Sequence, residues 1–232
     1  KLDIGLKGSE NASFNKRKKP ISLKESLNKE ILILNDQKNI IGSLVPIGIW
    51  LLNDIEMLDK IAEWRRKFDR LFPTRKSIDK ETTYNFIKQS YIDNSNAILF
   101  FIYTKNKELV GHIGLSKLDH KLFELVNLMR GAQGGDNQLI YFAEIAALNF
   151  GFNTGAKSGC FTEMMSYNWI VKDLHERVGF TKVTSYPLKK IVTPNSTVHK
   201  KVSEKEKNVL YSIDKYSISQ NKFYRISLGK DK

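Results

Sequence analysis

The sequence predicts an α/β (α+β) protein with a mixed, mostly antiparallel central sheet flanked by helices. Two β-rich apolar runs, residues 97–103 and 109–115, are separated by a short polar turn, which is typical of an antiparallel hairpin. Segments with apolar residues at helical spacing lie on both sides of this hairpin in the chain. At 232 residues with 41% hydrophobic content, the chain is long enough to bury one sizeable core.

Before the hairpin, the chain shows an apolar run, a longer apolar segment and two helical patterns, over residues 31–34, 41–52, 55–68 and 77–91. The first run suits either an extra strand or a docking arm, so residues 1–38 are predicted as an N-terminal arm or the remnant of a preceding segment. The longer segment suits a buried strand that bends at Pro46. Asp54 is a suitable N-cap for the first helix, and Ser77 and Asp79 can start the second.

After the hairpin, strands and helices alternate over residues 122–129, 138–152, 159–166 and 168–180. The first of these helices places Glu144 among apolar residues on the face that packs on the sheet. Residues 182–186 are predicted as a strand. Residues 193–208 are polar and rich in lysine, which predicts a long mobile loop, and residues 223–228 are predicted as a final strand that pairs with residues 182–186. Residues 39–232 are thus predicted as one domain.

The chain carries a formal net charge of +13, from 38 Lys and Arg against 25 Asp and Glu, and such an excess attracts anionic partners. CoA and nucleic acids are both anionic, and a compositional bias towards lysine is a third explanation. The densest basic runs, residues 15–19 and 200–207, lack interleaved aromatic residues, apart from a few near the end of the chain. We therefore expect no nucleic-acid partner.

The composition also indicates in which cellular compartment the protein is expected and whether it binds a membrane or a metal. The longest apolar stretch, residues 40–52, is interrupted by glycine, serine and proline and falls short of the ~20 residues that a membrane helix needs, so no membrane partner is predicted. The single cysteine, Cys160, cannot form an internal disulfide, which agrees with a reducing cytoplasm. The four histidines and this cysteine show no spacing that would assemble a metal site.

A glycine-rich turn follows the strand at residues 122–129 and reads Arg130-Gly131-Ala132-Gln133-Gly134-Gly135. Such a turn between a strand and a helix leaves several backbone N–H groups unpaired at the positive end of the helix dipole, which suits a phosphate group. Gly131 and Gly134 permit the positive φ angles that the turn needs. The turn therefore predicts a site for a phosphorylated ligand.

Further along the chain, Asn168, Leu174, His175 and Gly179-Phe180 follow a second β-like run. Together with the turn, this order over residues 41–190 resembles the GNAT superfamily of acyl-CoA-dependent N-acyltransferases. The resemblance implies acetyl-CoA or another short acyl-CoA as co-substrate, with its pantetheine arm between the two strands that follow the hairpin, which splay apart, and its pyrophosphate on the turn. It implies these cofactor-binding residues: Leu128, Met129, Arg130, Gly131, Gln133, Gly134, Gly135 and Asn168. Gln133 stands where the family's middle glycine is expected.

A histidine stands where that family has the tyrosine that protonates the departing thiolate. An imidazole titrates near neutral pH and can donate a proton there, so the resemblance implies that His175 is the catalytic general acid. The alternative is that His175 is a half-exposed helix residue with no chemical role.

Acyl transfer to an amine also needs a base, and Glu124 on the strand before the turn is the first candidate for this catalytic role. If Glu124, Val126 and Leu128 share one strand face, the carboxylate lies among apolar side chains and is a good proton acceptor. Glu163 on the next strand and His112 on the preceding strand are alternatives. A solvent-facing Glu124 with no role is another.

The predicted function is the transfer of an acetyl or other short acyl group to a primary amine of a small metabolite, such as an amino sugar, by direct attack in a ternary complex. Two alternatives stay open. One is a protein N-terminal or lysine acetyltransferase, and the other is a basic nucleic-acid-binding or non-catalytic CoA-binding module. The sequence also leaves open whether the chain forms a homodimer.

Overall fold

The computed structural model of the chain describes residues 19–194, 196–203, 206 and 209–227. Within them, one sheet contains the strands β1 (Ile31–Leu34), β2 (Ile40–Pro46), β3 (Thr74–Lys76), β4 (Ile98–Thr104), β5 (Leu109–Ser116), β6 (Leu122–Arg130), β7 (Gly159–Met165), β8 (Thr181–Thr193), β9 (Ser196–Lys201) and β10 (Tyr211–Ser219). The α-helices are α1 (Leu23–Leu27), α2 (Ile55–Lys67), α3 (Lys80–Ile87), α4 (Leu139–Phe152), α5 (Trp169–Val178) and α6 (Gln220–Ser227). The α/β class predicted from the sequence is confirmed.

The strands lie in the order β1-β2-β4-β5-β6-β7-β10-β8-β9-β3. Neighbouring strands are antiparallel except β6 and β7, which run parallel and are connected through α4. Helices cover both faces of the sheet centre, as β4 shows. Phe100 on this strand belongs to a core cluster with residues of α4, whereas Phe101 belongs to a second cluster with residues of α2. The sheet is therefore buried on both sides at β4.

Helices α2 and α3 begin where the sequence predicts. Asp54 precedes α2, and its side chain accepts a hydrogen bond from the Met57 amide at 3.0 Å. Asp79 precedes α3 and forms a capping box with Thr82. A π-helical turn follows α3 and carries Tyr91 into the core. Among the described residues, no helix combines the length and the apolar character that crossing a bilayer requires.

The apolar run at residues 31–34 is an extra strand and not a docking arm. It forms β1 at one edge of the sheet and pairs antiparallel with β2. The predicted strand after it ends at Pro46, and a 3-10 helix, Ile49–Asn53, leads into α2. Residues 1–18 of the predicted N-terminal arm lie outside the described residues.

The long mobile loop predicted for residues 193–208 is wrong for its first part. Residues 196–201 form β9, which pairs antiparallel with β8 on one side and with β3 on the other. The lysine-rich composition of this segment does not indicate a strand. Its charged side chains, such as those of Lys200 and Lys201, are exposed. Pairing with two neighbouring strands supplies the stabilisation that intrinsic strand preference does not.

The final strand predicted for residues 223–228 is also wrong, because residues 220–227 form α6 and Leu228 lies outside the described residues. The strand that pairs with residues 182–186 is β10. A short aromatic run does not distinguish strand from helix by its periodicity. Phe223 is buried, with its ring centroid 5.1 Å from that of Phe152 on α4, so packing against the neighbouring helix decides the conformation.

Replacing Asp54 with Ala removes the oxygen that accepts from the Met57 amide, so we expect the free energy of unfolding to fall by about 1 kcal/mol. Asp54→Asn keeps an acceptor oxygen and is the matched control, which we expect to retain most of the stability. Urea denaturation at pH 7 measures both changes. Equal stability of all three proteins would show that Asp54 does not cap α2.

Candidate active site

Strands β6 and β7 run side by side for only three residues and then part. Their parallel pairing extends from Leu122 opposite Gly159 to Glu124 opposite Phe161. On their outer edges, β6 stays paired with β5 and β7 with β10. The gap therefore opens inside the sheet, and beyond Glu124 the inner backbone edge of β6 faces an opening instead of a neighbouring strand.

A β-bulge at Asn127 accompanies the parting. His112 lies opposite Met129 and Gly114 lies opposite Val126, so β6 has one more residue than β5 between these pairs. Asn127 has a φ angle of 52°, in the left-handed region that asparagine tolerates better than most residues. The bulge bends β6 away from the line that pairing with β7 would require.

Two buried side chains anchor the bulge. Asn127 Nδ2 donates to Tyr91 Oη at 2.5 Å, and His112 Nδ1 donates to the Asn127 carbonyl at 2.7 Å. The pKa of His112 is lowered to about 4, chiefly by burial and in smaller part by the nearby Arg65 guanidinium. Burial also raises the pKa of the Tyr91 hydroxyl. Both groups are neutral at pH 7 and act as hydrogen-bonding anchors, and neither is among the residues that line the opening.

The opening between the strands is a cavity of about 340 Å³. Residues of β6 and β7, the start of α5 and the segment after α2 form its walls. It brings together several predicted site residues: Leu128, Met129, Arg130, Asn168 and His175. The sequence places these residues on two separate motifs, and the fold brings the start of the first motif and two residues of the second to one cavity. The predicted turn residues Gly131, Gln133, Gly134 and Gly135 follow Arg130 and are not among the residues that line it.

The glycine-rich turn continues from β6 and is held tightly at its start. The amides of Gly131 and Ala132 both donate to the Val110 carbonyl, at 2.9 and 3.1 Å. A Cβ at Gly131 would lie 1.9 Å from a ring atom of Trp64, so only glycine fits between this ring and the strand. The beginning of the turn is therefore fixed by packing, and the amides of Gly131 and Ala132 already donate hydrogen bonds within the protein.

The later part of the turn has its amides available. The Arg130 guanidinium donates to the Gly134 carbonyl at 2.8 Å, and Gly134 and Gly135 have φ angles of 128° and 69°. Among the described residues, no hydrogen-bond partner faces the amides of Gln133, Gly134 and Gly135. Asp136 accepts a hydrogen bond from the Gln138 amide just before α4, and the amides of the turn that precedes Asp136 can offer donors to an anion.

Helix α5 contributes two predicted residues to the cavity. Asn168 immediately precedes the helix, is 8% exposed, and has no side-chain hydrogen-bond partner within the described part of the chain. His175 is 2% exposed and therefore buried, unlike the half-exposed residue of the alternative interpretation. Gly179 ends the helix in the left-handed conformation, with a φ angle of 110°.

His175 has a partner to which the sequence analysis assigned no role. Its Nδ1 lies 2.6 Å from Oε1 of Glu144, a fully buried residue of α4. The sequence does contain a signal, because an acidic residue lies on the sheet-facing side of an otherwise apolar helix. The identity of its partner depends on how α4 and α5 pack, which periodicity does not predict.

Glu124 lies at the edge of the site. Its Oε2 lies 3.0 Å from Lys117 Nζ and accepts a hydrogen bond from Ser116 Oγ at 3.2 Å. Glu124 is not among the residues that line the cavity. The expectation that Glu124 and Leu128 share one strand face is wrong. The bulge shifts the alternation of side chains along β6 by one residue, so Leu128 packs on the other face, against the core cluster that contains Leu125.

Glu163 does line the cavity, beside a largely apolar wall. Both of its carboxylate oxygens lie 2.8 Å from Lys201 Nζ on β9. The same strand holds the segment after α2, because the His199 amide donates to the Pro73 carbonyl at 2.8 Å and β3 pairs with β9. This segment contributes a set of apolar lining residues: Phe68, Leu71, Phe72 and Pro73.

Solved structures share this architecture. A probable GNAT-family acetyltransferase from Chromobacterium violaceum is 14% identical, with a TM-score of 0.58 over 80% of this chain and 86% of its own. A microcin C7 self-immunity acetyltransferase in complex with acetyl-CoA and AMP is 19% identical, with a TM-score of 0.57 over 78% of this chain and 93% of its own. The spermidine N-acetyltransferase of Vibrio cholerae, in complex with CoA and spermine, is 14% identical, with a TM-score of 0.56 over 78% of this chain and 96% of its own.

Neither a protein-family model nor a curated protein matches the sequence. The likeness to solved structures therefore rests on the arrangement of strands and helices, and at these identities it establishes the fold.

The low pKa of His112 predicts a specific acid sensitivity. The pKa of His112 is about 4 in the folded chain and 6.5 ordinarily. The part of the free energy of unfolding that depends on a neutral His112 is therefore fully present above pH 6.5 and is lost as the pH falls towards 4. We expect His112→Asn, which keeps a donor for the Asn127 carbonyl, to remove up to about 3 kcal/mol of this pH dependence. Urea denaturation between pH 7 and pH 4 measures it. The same pH dependence in both proteins would exclude His112 as its source.

Proposed function

Because the chain has the fold of the GNAT acetyltransferases, we propose that it is an acyl-CoA-dependent N-acyltransferase that moves an acetyl or other short acyl group to a primary amine. One observation carries the proposal: the parting of β6 and β7 creates a cavity that Asn168 and His175 also line. A sheet that served only as scaffold would gain stability by continuing the pairing, because unpaired backbone groups are costly when they are buried.

The unpaired groups fit the parts of an acyl-CoA. The inner edge of β6 beyond Glu124 can present backbone groups to an extended pantetheine arm. The side chain of Asn168, which has no hydrogen-bond partner among the described residues, can bind one of the amides of that arm. The amides of Gln133, Gly134 and Gly135 can bind the pyrophosphate. When bound, the co-substrate supplies an activated acyl group as a thioester. The net charge of +13 favours the approach of such an anion.

Three tasks then fall to the residues around the cavity. A backbone amide near Leu128 or Met129 binds the carbonyl oxygen of the thioester, where negative charge develops. His175 gives a proton to the departing sulfur. A carboxylate receives a proton from the attacking amine. Glu163 is better placed than Glu124 for this last task, because Glu163 lines the cavity and Glu124 does not.

The residues that line the cavity indicate which kind of amine it can accept. The segment that contributes Phe72 and Pro73 is tied to β9, so this side is enclosed by apolar side chains. Such a wall favours an amine small enough to enter the cavity, with an apolar or aromatic group beside the amine. The amino sugar expected from the sequence competes with the protein acceptors, an N-terminus or a lysine side chain.

Calorimetry with acetyl-CoA tests the cofactor site. We expect micromolar binding, and we expect Asn168→Ala to weaken it about tenfold, as the loss of one buried hydrogen bond would. Asn221→Ala, at an exposed position on α6, is the matched control and should bind as the unmodified protein does. A short duplex DNA at two salt concentrations completes the set. Salt-sensitive DNA binding without acetyl-CoA binding would replace the enzyme proposal with a nucleic-acid-binding one.

The two candidate bases can be separated by their amide variants. We expect Glu163→Gln to lower kcat/KM for the amine at least tenfold and to flatten the acidic limb of its pH profile, because the proton acceptor is lost. Glu124→Gln, which removes a carboxylate paired with Lys117 outside the cavity, should leave the profile unchanged. The reverse result would assign the base to Glu124, as the sequence predicts, and unchanged profiles for both would exclude both.

A further inference from the structure

A buried polar pair joins α4 and α5 at the inner wall of the cavity. Glu144 has no exposed surface and His175 is 2% exposed. Glu144 Oε1 lies 2.6 Å from His175 Nδ1, whereas Glu144 Oε2 is buried without a hydrogen-bond partner among the described residues. The ring of Phe180 lies over the histidine, with centroids 5.3 Å apart. Glu144 is therefore shielded from water, and His175 is nearly so apart from the side on which it lines the cavity.

A purely structural role explains this arrangement poorly. The other buried residues of α4 are apolar, for example Leu139, Ala143 and Leu148. A buried carboxylate is unfavourable unless it is paired and fully hydrogen-bonded, and here one oxygen stays unsatisfied. A leucine or methionine would pack α4 against α5 without that penalty. The pair therefore suits a function of the histidine more than the stability of the helix contact.

We propose that Glu144 is a positioning residue that keeps a proton on Nδ1 of His175 and supports its imidazolium form, a role that rests on the proposed acyltransferase activity. With Nδ1–H donating to the carboxylate, Nε2 is the ring nitrogen left to serve the cavity that His175 lines. A negative charge beside the ring stabilises the imidazolium cation, which is the form of this side chain that can give up a proton.

The proton transfer balances within this geometry. The amine forms the new C–N bond as the C–S bond breaks, and the sulfur takes the proton from Nε2 of the imidazolium. His175 becomes neutral and retains Nδ1–H on Glu144, so the ring does not need to rotate or change its tautomer. The proton of the attacking nitrogen leaves to the base, and solvent restores the imidazolium for the next turnover.

Other titratable groups lie near the pair, on β7 and on both helices. Cys160 on β7 lies in the field of Glu144, and burial raises the pKa of its thiol, which stays neutral. Tyr141 on α4 has a raised pKa, chiefly from burial, and its ring lies under the Arg177 guanidinium at 5.0 Å. Glu176, the next residue on α5, instead accepts a hydrogen bond from Tyr216 at 3.2 Å.

Glu144→Gln separates positioning from packing, because glutamine keeps an acceptor for Nδ1–H but carries no charge. Long-range ¹H–¹⁵N NMR of the His175 ring reads the tautomer and the titration midpoint without any need for turnover. We expect the Nδ1–H tautomer in the unmodified protein and a midpoint that moves to lower pH in Glu144→Gln. The alkaline limb of the kcat profile should move in the same direction, with kcat at pH 8 at least tenfold lower and acetyl-CoA affinity unchanged.

Two further variants complete the test. Glu176→Gln changes a neighbouring carboxylate of the same helix and should leave both titration and kcat unaltered. In a His175→Gln background, which keeps a donor for Glu144 but has no acidic ring proton, Glu144→Gln should lower kcat no further. A second, independent loss there, or an unchanged titration midpoint in Glu144→Gln, overturns the positioning role. Failure of the unmodified protein to bind acetyl-CoA would instead overturn the proposed function and leave the titration result standing.

Discussion

The early parting of β6 from β7 is the constraint on which the rest of the site depends. Two parallel strands that pair for three residues would ordinarily continue, because each further residue satisfies backbone groups that are otherwise unpaired. The bulge at Asn127 prevents this continuation, since it bends β6 and reverses its side-chain alternation. Tyr91 and His112 hold the bulge from the side of α2 and α3. The interrupted pairing thus lowers the stability of the sheet, and it opens a cavity along a part of β6 that has no strand partner on that side among the described residues.

Two buried polar clusters flank that cavity on opposite faces of the sheet, and their chemistry differs. Tyr91, Asn127 and His112 are all neutral at pH 7 and shape the backbone through hydrogen bonds. Glu144 and His175 include a carboxylate, and one of its oxygens has no partner among the described residues. Buried polar groups weaken a core that only has to pack, so the presence of both clusters beside the parting of β6 and β7 indicates where function constrains this fold.

The predictions from the sequence succeed where the signal is local. Asp54 and Asp79 mark helix starts because a capping side chain acts within three residues, and the hairpin of β4 and β5 needs only alternating apolar runs and a short turn. They fail where distant segments decide the outcome. Strand β9 is stabilised by β8 and β3 in spite of its charge, and α6 is a helix where Phe223 packs on Phe152.

The sequence by itself determined the order of strands and helices from β4 to α5, the glycine-rich turn and the positions of Asn168 and His175 on a second motif, because each depends on residues close together in the chain. Only the tertiary structure decided that Arg130 of the first motif and His175 of the second line one cavity, that the bulge separates Glu124 from Leu128, and that Glu144 meets His175. These facts depend on how far β6 stays paired and on the packing of α4 against α5. Both are set by contacts between segments that are far apart in sequence, which no local pattern records.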